Sequence, residues 1–296
     1  MEEHYQKMFC RNIGIITDQE QEKLSQTTIG VAGTGGVAGT ALLNLVRIGV
    51  GGFNIADPEA FDYPDINRQQ GSSLEAVGSK KVVVLEQVLK SINPYVSVRT
   101  YPEGLTEGNM QSFLEGTSLV IDGLDFFCLG IRKRLLDESR KRGLYVLGCP
   151  ILGFGTSLAV FAPDGPGFDD FFGPLPKVVD GKYAVNFGRS YFPKLPKYID
   201  LAAYFEAMKK NKPIPSFATS CALSGTVTAA EAIFILLNKR KPVCVPYVRQ
   251  YDLFEGKITV RDGRKKKLSW IRKSILKMVL KRRKKWDAYK DLLDSL

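Results

Sequence analysis

The stretch from Thr28 to Arg68 constrains the fold more than any other part of this chain. It opens on an apolar run, Ile29 to Ala32, that passes into a turn carrying Gly33, Gly35 and Gly36. From Val37 to Ile48 the residues Ala41, Leu42, Leu45, Val46 and Ile48 recur at helical spacing, which predicts an amphipathic helix. A second apolar run, Phe53 to Ala56, ends on Asp57. Strand, glycine turn, helix and strand make a βαβ unit with a nucleotide-binding turn. Glycines let the backbone come close to phosphate, and the helix N-terminus offers unpaired N–H groups and the positive end of its dipole. Asp57, closing the second strand, is placed to accept hydrogen bonds from ribose hydroxyls.

The turn alone leaves the nucleotide open, because Gly33-x-Gly35-x-x-Ala38 also fits a dinucleotide fingerprint. The charged residues downstream of the second strand argue against NAD. Asp65-Ile66-Asn67-Arg68-Gln69 begins eight residues after Asp57, Gly78-Ser79-Lys80-Lys81 comes next, and Asp122-Gly123-Leu124-Asp125 closes a later strand. Hydride transfer has no need of an arginine, a lysine and a magnesium-type carboxylate together. An enzyme acting on a triphosphate does, because charge on the phosphoryl oxygens must be neutralised.

Gly33-Thr34-Gly35-Gly36, Asp57, the Asn67-Arg68-Gln69 run, Lys81, Ile92-Asn93-Pro94 and the Asp122-x-x-Asp125 pair together resemble the ThiF/MoeB/HesA adenylating family, relatives of the ubiquitin-activating enzymes. The similarity spans roughly residues 5–240, with the motifs in the family's order and spacing. It implies adenylation of a carboxylate by ATP with Mg²⁺, most often the C-terminus of a small ubiquitin-like or sulfur-carrier protein or another peptide carboxylate, with release of pyrophosphate. A homodimer is implied as well. By the same resemblance Asp57 fixes the ribose, and Gly33, Gly35, Gly36, Glu59, Asn67, Gln69 and Asp122 line the nucleotide; of the Asp122 and Asp125 pair, Asp122 better fits the alternative of capping the next helix. Arg68 and Lys81 offset phosphate charge, Asp125 holds the metal, and Arg11 reaches the partner's nucleotide in trans. No general base is required, since a carboxylate is already ionised at neutral pH. The chain departs from the family at Asp65, where asparagine is usual, and at Phe126 and Phe127, which come after Asp125 where asparagine is usual.

Many relatives also carry two C-x-x-C pairs for zinc. Here Cys10, Cys128, Cys149, Cys221 and Cys244 form none, and His4 is the only histidine, so no zinc is expected. No run of about 18 uninterrupted apolar residues occurs, so no transmembrane span is read. The first residues lack an apolar signal core, and a cytoplasmic location is expected. The formal charge of +11 gathers near the C-terminus, at Arg264 to Lys267, Arg272, Lys273, Lys277 and Lys281 to Lys285. Leu268 to Leu296 reads as a basic amphipathic helix that lies on an anionic membrane surface, binds RNA, or docks on its own domain.

The remaining pattern predicts an N-terminal helix over 9–27, capped by Thr17, and a helix over Ser73–Ile92 bearing Lys80 and Lys81. Strands are expected over Val96–Tyr101, Leu119–Asp122, Leu144–Gly148 and Gly153–Ala162, with helices at Glu107–Leu114 and Arg132–Arg142. Residues 163–196 are rich in proline, glycine and aromatics, occupy the place of the relatives' crossover loop, and contain no cysteine. A thioester or persulfide step in that loop is therefore not expected; its aromatics either pack onto the sheet or grip a peptide tail, and packing is favoured. Helices come next at 198–211 and at Phe217–Leu237, the latter small-residue-rich with Cys221 buried on it, and then a hairpin turning at Glu255-Gly256. The expected architecture is one α/β adenylation domain over residues 1–262, with a Rossmann-like, mainly parallel sheet flanked by helices and an antiparallel extension, succeeded by a basic helix over 263–296. Three other functions stay open: a tRNA-modifying enzyme of the same superfamily, of the threonylcarbamoyladenosine dehydratase type, which the basic charge would suit; a non-catalytic nucleotide-binding scaffold; and an NAD-binding redox protein.

Overall fold

Five short parallel strands carry the nucleotide-type half of the molecule: β1 (Thr28–Ala32), β2 (Gly52–Ala56), β3 (Ser97–Tyr101), β4 (Leu119–Asp122) and β5 (Val146–Gly148). They pair in the order β3-β2-β1-β4-β5. The sheet then turns antiparallel through β7 (Gly155–Phe161), β8 (Tyr247–Asp252) and β9 (Lys257–Asp262), with β6 (Ile151–Leu152) pairing β7. The computed structural model describes residues 2–200 and 214–264, with isolated positions between 203 and 207 and between 274 and 281. Most of the expected 198–211 helix and the expected basic helix over 263–296 therefore lie outside the described residues.

Side chains alternate across each strand, so the two faces bury different sets. Ile29, Val31, Phe53, Ile55, Leu119 and Ile121 pack one face against α3 (Gly36–Ile48), α4 (Lys81–Ile92) and α9 (Ala218–Leu236). Ala32, Ala56, Val120 and Val146 face α5 (Met110–Leu114), α6 (Leu129–Lys141), α7 (Phe168–Phe172) and α8 (Gly181–Tyr191). The small-residue character of α9 has its reason in the first layer. At Gly225 a Cβ would overlap Thr40 and come within 2.7 Å of the Val37 carbonyl oxygen, so α9 lies almost backbone to backbone on α3. Among the described residues α9 alone is long and apolar enough to cross a membrane, yet Cys221, Ala229, Ala232, Ile233 and Leu236 are buried in the core.

Several boundaries move from their expected places for local reasons. The N-terminal segment forms α1 (Glu2–Phe9), a 3-10 turn at Cys10–Asn12 and α2 (Asp18–Ser25) instead of one helix over 9–27. Gly14, at φ +103°, breaks the run, and Thr17 starts α2 with a reciprocal capping box to Glu20. The expected Ser73–Ile92 helix begins only at Lys81, because Gly78 adopts φ +85° and residues 78–81 fold back to bond 59–61. Residues 163–196 hold α7 and α8, and Phe168, Phe171, Phe172, Phe187, Tyr191 and Phe192 are buried beneath them. Those aromatics are core.

Candidate active site

Strand order reverses at β1, since β2 and β4 lie on its two sides; ligands of open α/β sheets bind outside the carboxyl ends of the strands at such a point. There the two turns after β1 and β4 touch through glycines. Gly33 adopts φ +80°, and a Cβ on it would overlap the Gly123 carbonyl. A Cβ on Gly36 would stand 2.8 Å from Cys221 Sγ and 3.1 Å from the Arg68 carbonyl oxygen, so that glycine is needed for packing. Gly35 differs. Its nearest neighbour would be Gln69 Nε2 at 3.9 Å, which leaves this backbone open for a ligand to approach. Gly35 is also the N-cap of α3, with no side-chain cap and no acidic residue in the first turn, so the helix dipole and its free N–H groups face this opening unneutralised.

Asp57 sits directly after β2 and is 5% exposed. Its Oδ2 accepts from Thr34 N at 2.7 Å and Thr34 Oγ1 at 2.9 Å, and its Oδ1 accepts from Glu59 N at 2.9 Å. These contacts occupy three of the roughly four acceptor positions of a carboxylate, so Asp57 first fixes the glycine turn and keeps one position spare.

Lys81 opens α4 with only 2% of its surface exposed. Its Nζ lies 2.6 Å from Glu59 Oε2, 3.3 Å from Asp65 Oδ2 and over the Phe61 ring. Burial opposes charge on this amine, but the hydrogen bond and field of Glu59, with Asp57 and Asp65, outweigh it and hold the ammonium above its ordinary pKa. Arg68 donates through Nη1 to the Pro64 carbonyl at 2.8 Å and to Asn67 Oδ1 at 2.9 Å, while its Nη2 stands 3.6 Å from Asp65 Oδ1. Asn67 in turn donates to the Ser216 carbonyl at 3.3 Å, just before α9. Gln69 is buried and donates to Asp65 Oδ1 at 2.6 Å. The expected residues Glu59, Asn67, Arg68, Gln69 and Lys81 thus form one connected cluster, joined by Asp65, to which the sequence motifs assign no role.

Two other site candidates stand differently. Asp122, at the end of β4, is buried in an ion pair: its Oδ2 lies 2.7 Å from Arg132 Nε, and its Oδ1 accepts from Leu124 N at 3.2 Å. Arg132 also donates to the Leu124 carbonyl and lies against the Phe187 ring. Asp122 therefore holds the loop after β4, and in this structure it is engaged by the protein on both oxygens. Asp125, in contrast, is exposed on that same loop, beside the Gly33–Gly123 contact. Arg11 is not brought to the site within its own chain. The adjacent Asn12 donates to the Ile48 carbonyl at the far end of α3, about 20 Å from the glycine turn at 1.5 Å per residue. Lys80 is held by backbone instead of by the Asp65 cluster, donating to the Pro58 carbonyl at 2.5 Å.

Cys221 packs between Gly36 and Arg68; burial pushes its thiol up to about 11, against the opposing pull of Arg68. It is a protonated, shielded thiol. Among the described residues no three His, Cys, Asp or Glu side chains form a metal site of their own.

An α/β sheet with an open glycine turn, an uncapped helix N-terminus and a lysine–arginine pair at its switch point has the elements that proteins of the nucleotide-dependent class use to hold phosphate. Comparison with known proteins narrows that class. The ThiF family profile matches residues 9–270, and the chain belongs to the ThiF family. It is 28% identical over 264 residues to the sulfur carrier protein adenylyltransferase of Thermus thermophilus, covering 88% of both chains. It is 34% identical over 137 residues to the tRNA threonylcarbamoyladenosine dehydratase of Bacillus subtilis, covering 46% of this chain and 53% of that one. Among solved structures, PaaA superposes with a TM-score of 0.64 at 17% identity, over 88% of this chain and 72% of that one. Escherichia coli MccB with MccA-N7isoASN superposes at 0.62 and 14% identity, over 82% and 66%.

Proposed function

We propose that this protein adenylates a substrate carboxylate with ATP. The observation that carries the reading is the meeting of Arg68 and Lys81 beside the open backbone of Gly35 and the uncapped start of α3. One carboxylate oxygen of the substrate attacks the α-phosphorus, the bond to the bridging oxygen breaks, and the electron pair leaves on pyrophosphate; no proton is transferred. Gly35 and the first N–H groups of α3 receive phosphate oxygens. Lys81 and Arg68 offset the charge that grows on the leaving pyrophosphate, Arg68 through a fork that can engage two oxygens. Asp57, through its spare acceptor position, takes a ribose hydroxyl. Asp125 offers the exposed oxygen donor that suits Mg²⁺, a hard cation that keeps water and substrate phosphate as its other ligands. When bound, the ion supplies charge neutralisation at phosphoryl oxygens.

For the substrate, the C-terminus of a small ubiquitin-like or sulfur-carrier protein is favoured by the near full-length similarity to a sulfur carrier protein adenylyltransferase. We place the protein in the cytoplasm as a homodimer in which Arg11 serves the partner's site, because it stands remote from its own. The basic C-terminal stretch would meet an acidic partner or an anionic membrane surface. A second reading, a tRNA-modifying dehydratase, draws on the +11 charge and on the identity to the Bacillus subtilis enzyme. Magnesium-dependent formation of AMP and pyrophosphate, with host extract pretreated by protease or by RNase, separates the two. Loss of stimulation after protease supports the protein substrate, and loss after RNase supports tRNA. Arg68→Ala and Asp125→Ala should each lower AMP formation at least about 100-fold with the fold intact; wild-type turnover in either overturns the site.

A further inference from the structure

Asp65 stands at the single point where both phosphate-side cations meet. Its Oδ2 accepts from Asp62 N at 3.2 Å and lies 3.3 Å from Lys81 Nζ. Its Oδ1 accepts from Gln69 Nε2 at 2.6 Å and lies 3.6 Å from Arg68 Nη2. It is 9% exposed. A buried ammonium does need an anion beside it, but Glu59 already supplies one to Lys81 at 2.6 Å. With Asp57 also acting on Lys81, the carboxylates Asp57, Glu59 and Asp65 outnumber the cations Lys81 and Arg68 before any nucleotide arrives. Asp65 is therefore an extra negative charge, placed where a triphosphate has to be held, on a fold whose other features attract one.

We propose that Asp65 is an internal competitor for phosphate. It steadies Lys81 and Arg68 while the site is empty, yields them when the triphosphate binds, and reclaims them as pyrophosphate departs. The inference rests on the adenylation reading for the identity of the ligand, and it makes Asp65 a positioning residue that weakens nucleotide binding and speeds product release. Holding both cations in a fixed place keeps them ordered for the incoming phosphates. Repelling those phosphates prevents the leaving pyrophosphate from lingering on the same two side chains.

Gln69 makes the charge separable from the shape. Its Oε1 is buried without a hydrogen-bond partner. An asparagine at position 65 has the outline of aspartate, and after the Gln69 amide turns over it can donate to that oxygen, exchanging one hydrogen bond for another while Glu59 stays on Lys81. Asp65→Asn in the full chain therefore changes the charge and little else. Binding of the non-cleavable α,β-methylene analogue of ATP with magnesium, measured by calorimetry, should tighten about tenfold, the effect of one unit charge some ångströms from phosphate at the dielectric of a partly buried site. In ATP–pyrophosphate exchange the KM for ATP should fall in parallel, pyrophosphate should inhibit at correspondingly lower concentration, and kcat should stay level or fall. A purely structural Asp65 would instead raise KM and lower the melting temperature, and either that pattern or unchanged binding overturns the proposal. If Asp65→Asn does not fold, Asp65→Ser, smaller and also neutral, carries the same expectation. Absence of exchange in the wild type alongside tighter analogue binding by the variant would remove adenylation and keep the competitor. Exchange in the wild type without tighter binding would do the reverse, and binding by neither form would overturn both.

Discussion

Replacing Lys81 by methionine tests whether its ammonium serves the fold, the ligand, or both. Methionine fills similar volume and keeps the contact with Phe61, so the change is chiefly one of charge. Breaking a buried ion pair by removing one partner costs about 3–5 kcal/mol when the other is left uncompensated. Here Glu59 has 59% of its side chain in solvent and can hydrate, while Asp65 keeps the hydrogen bonds from Gln69 and Asp62 N. The expected loss therefore sits lower, about 2–3 kcal/mol, read as a shift in the urea midpoint at unchanged slope. Its pH dependence has a definite sign. Lys81 has a folded pKa above its unfolded value near 10.4, so its contribution is complete below about pH 10 and fades as pH rises through the folded pKa. The gap between wild type and Lys81→Met should be flat from pH 7 to 9 and narrow above about pH 10.5. Exchange should fall at least about 100-fold at saturating substrate. Equal stabilities, or a gap that widens with pH, would refute the electrostatic account; lost stability with full exchange would confine Lys81 to the fold.

Asp122→Asn should cost about 3–5 kcal/mol in chemical denaturation, since it leaves the buried Arg132 guanidinium short of its anion; an unchanged midpoint with a raised KM for ATP would make Asp122 a nucleotide ligand after all. Gly225→Ala should destabilise by more than about 2 kcal/mol, because the new methyl meets the Thr40 side chain and the Val37 carbonyl of α3; a thermal melt within a degree of wild type would show that α9 can shift away from α3. Cys221, 2% exposed and with its thiol pushed up to about 11, should resist iodoacetamide at pH 7.5 in the native protein and react once urea unfolds it; rapid native labelling would overturn its burial.

The parallel half of the fold is legible in the sequence because its signals are local. Ile29 to Ala32, the glycine turn and Phe53 to Ala56 follow in one short stretch joined by a single helix, and they match β1, the α3 N-terminus and β2. The charged run is legible for the same reason, as Asn67, Arg68 and Gln69 are adjacent, and Lys81 reaches them through the bonding of residues 59–61 with 78–81. Helix limits are less so. Gly14 and Gly78 both adopt left-handed backbone that interrupts an otherwise helical pattern, and nothing in apolar spacing separates a glycine tolerated within a helix from one that ends it. The aromatics of 163–196 are compatible in sequence with a surface grip as well as with the favoured core, because which of the two they serve depends on α5 and α6 lying opposite. Arg132 escapes sequence reasoning as the partner of Asp122 for a similar reason: ten positions separate them, and only the fold of the intervening loop brings them to 2.7 Å.

Asp57 and Asp122 show what a strand-end carboxylate does for its own loop. Each closes a parallel strand at the edge where ligands bind; Asp57 reads in the sequence as facing the nucleotide, and Asp122 reads as lining it or, with the better fit of its pair, as capping the next helix. Yet the chain leaving a parallel strand turns sharply, and its next N–H groups have lost the strand ladder and need acceptors. Asp57 supplies Thr34 N and Glu59 N, and Asp122 supplies Leu124 N while neutralising Arg132. Short polar side chains that bond their own or adjoining turns are the least expensive way to satisfy such groups. In the proposed function the ligand-facing duties fall instead to the exposed Asp125, the Gly35 backbone, and the two cations beside Asp65. A strand-end aspartate in such a sheet is thus first an organiser of its loop, and its share in binding is whatever acceptor capacity those contacts leave.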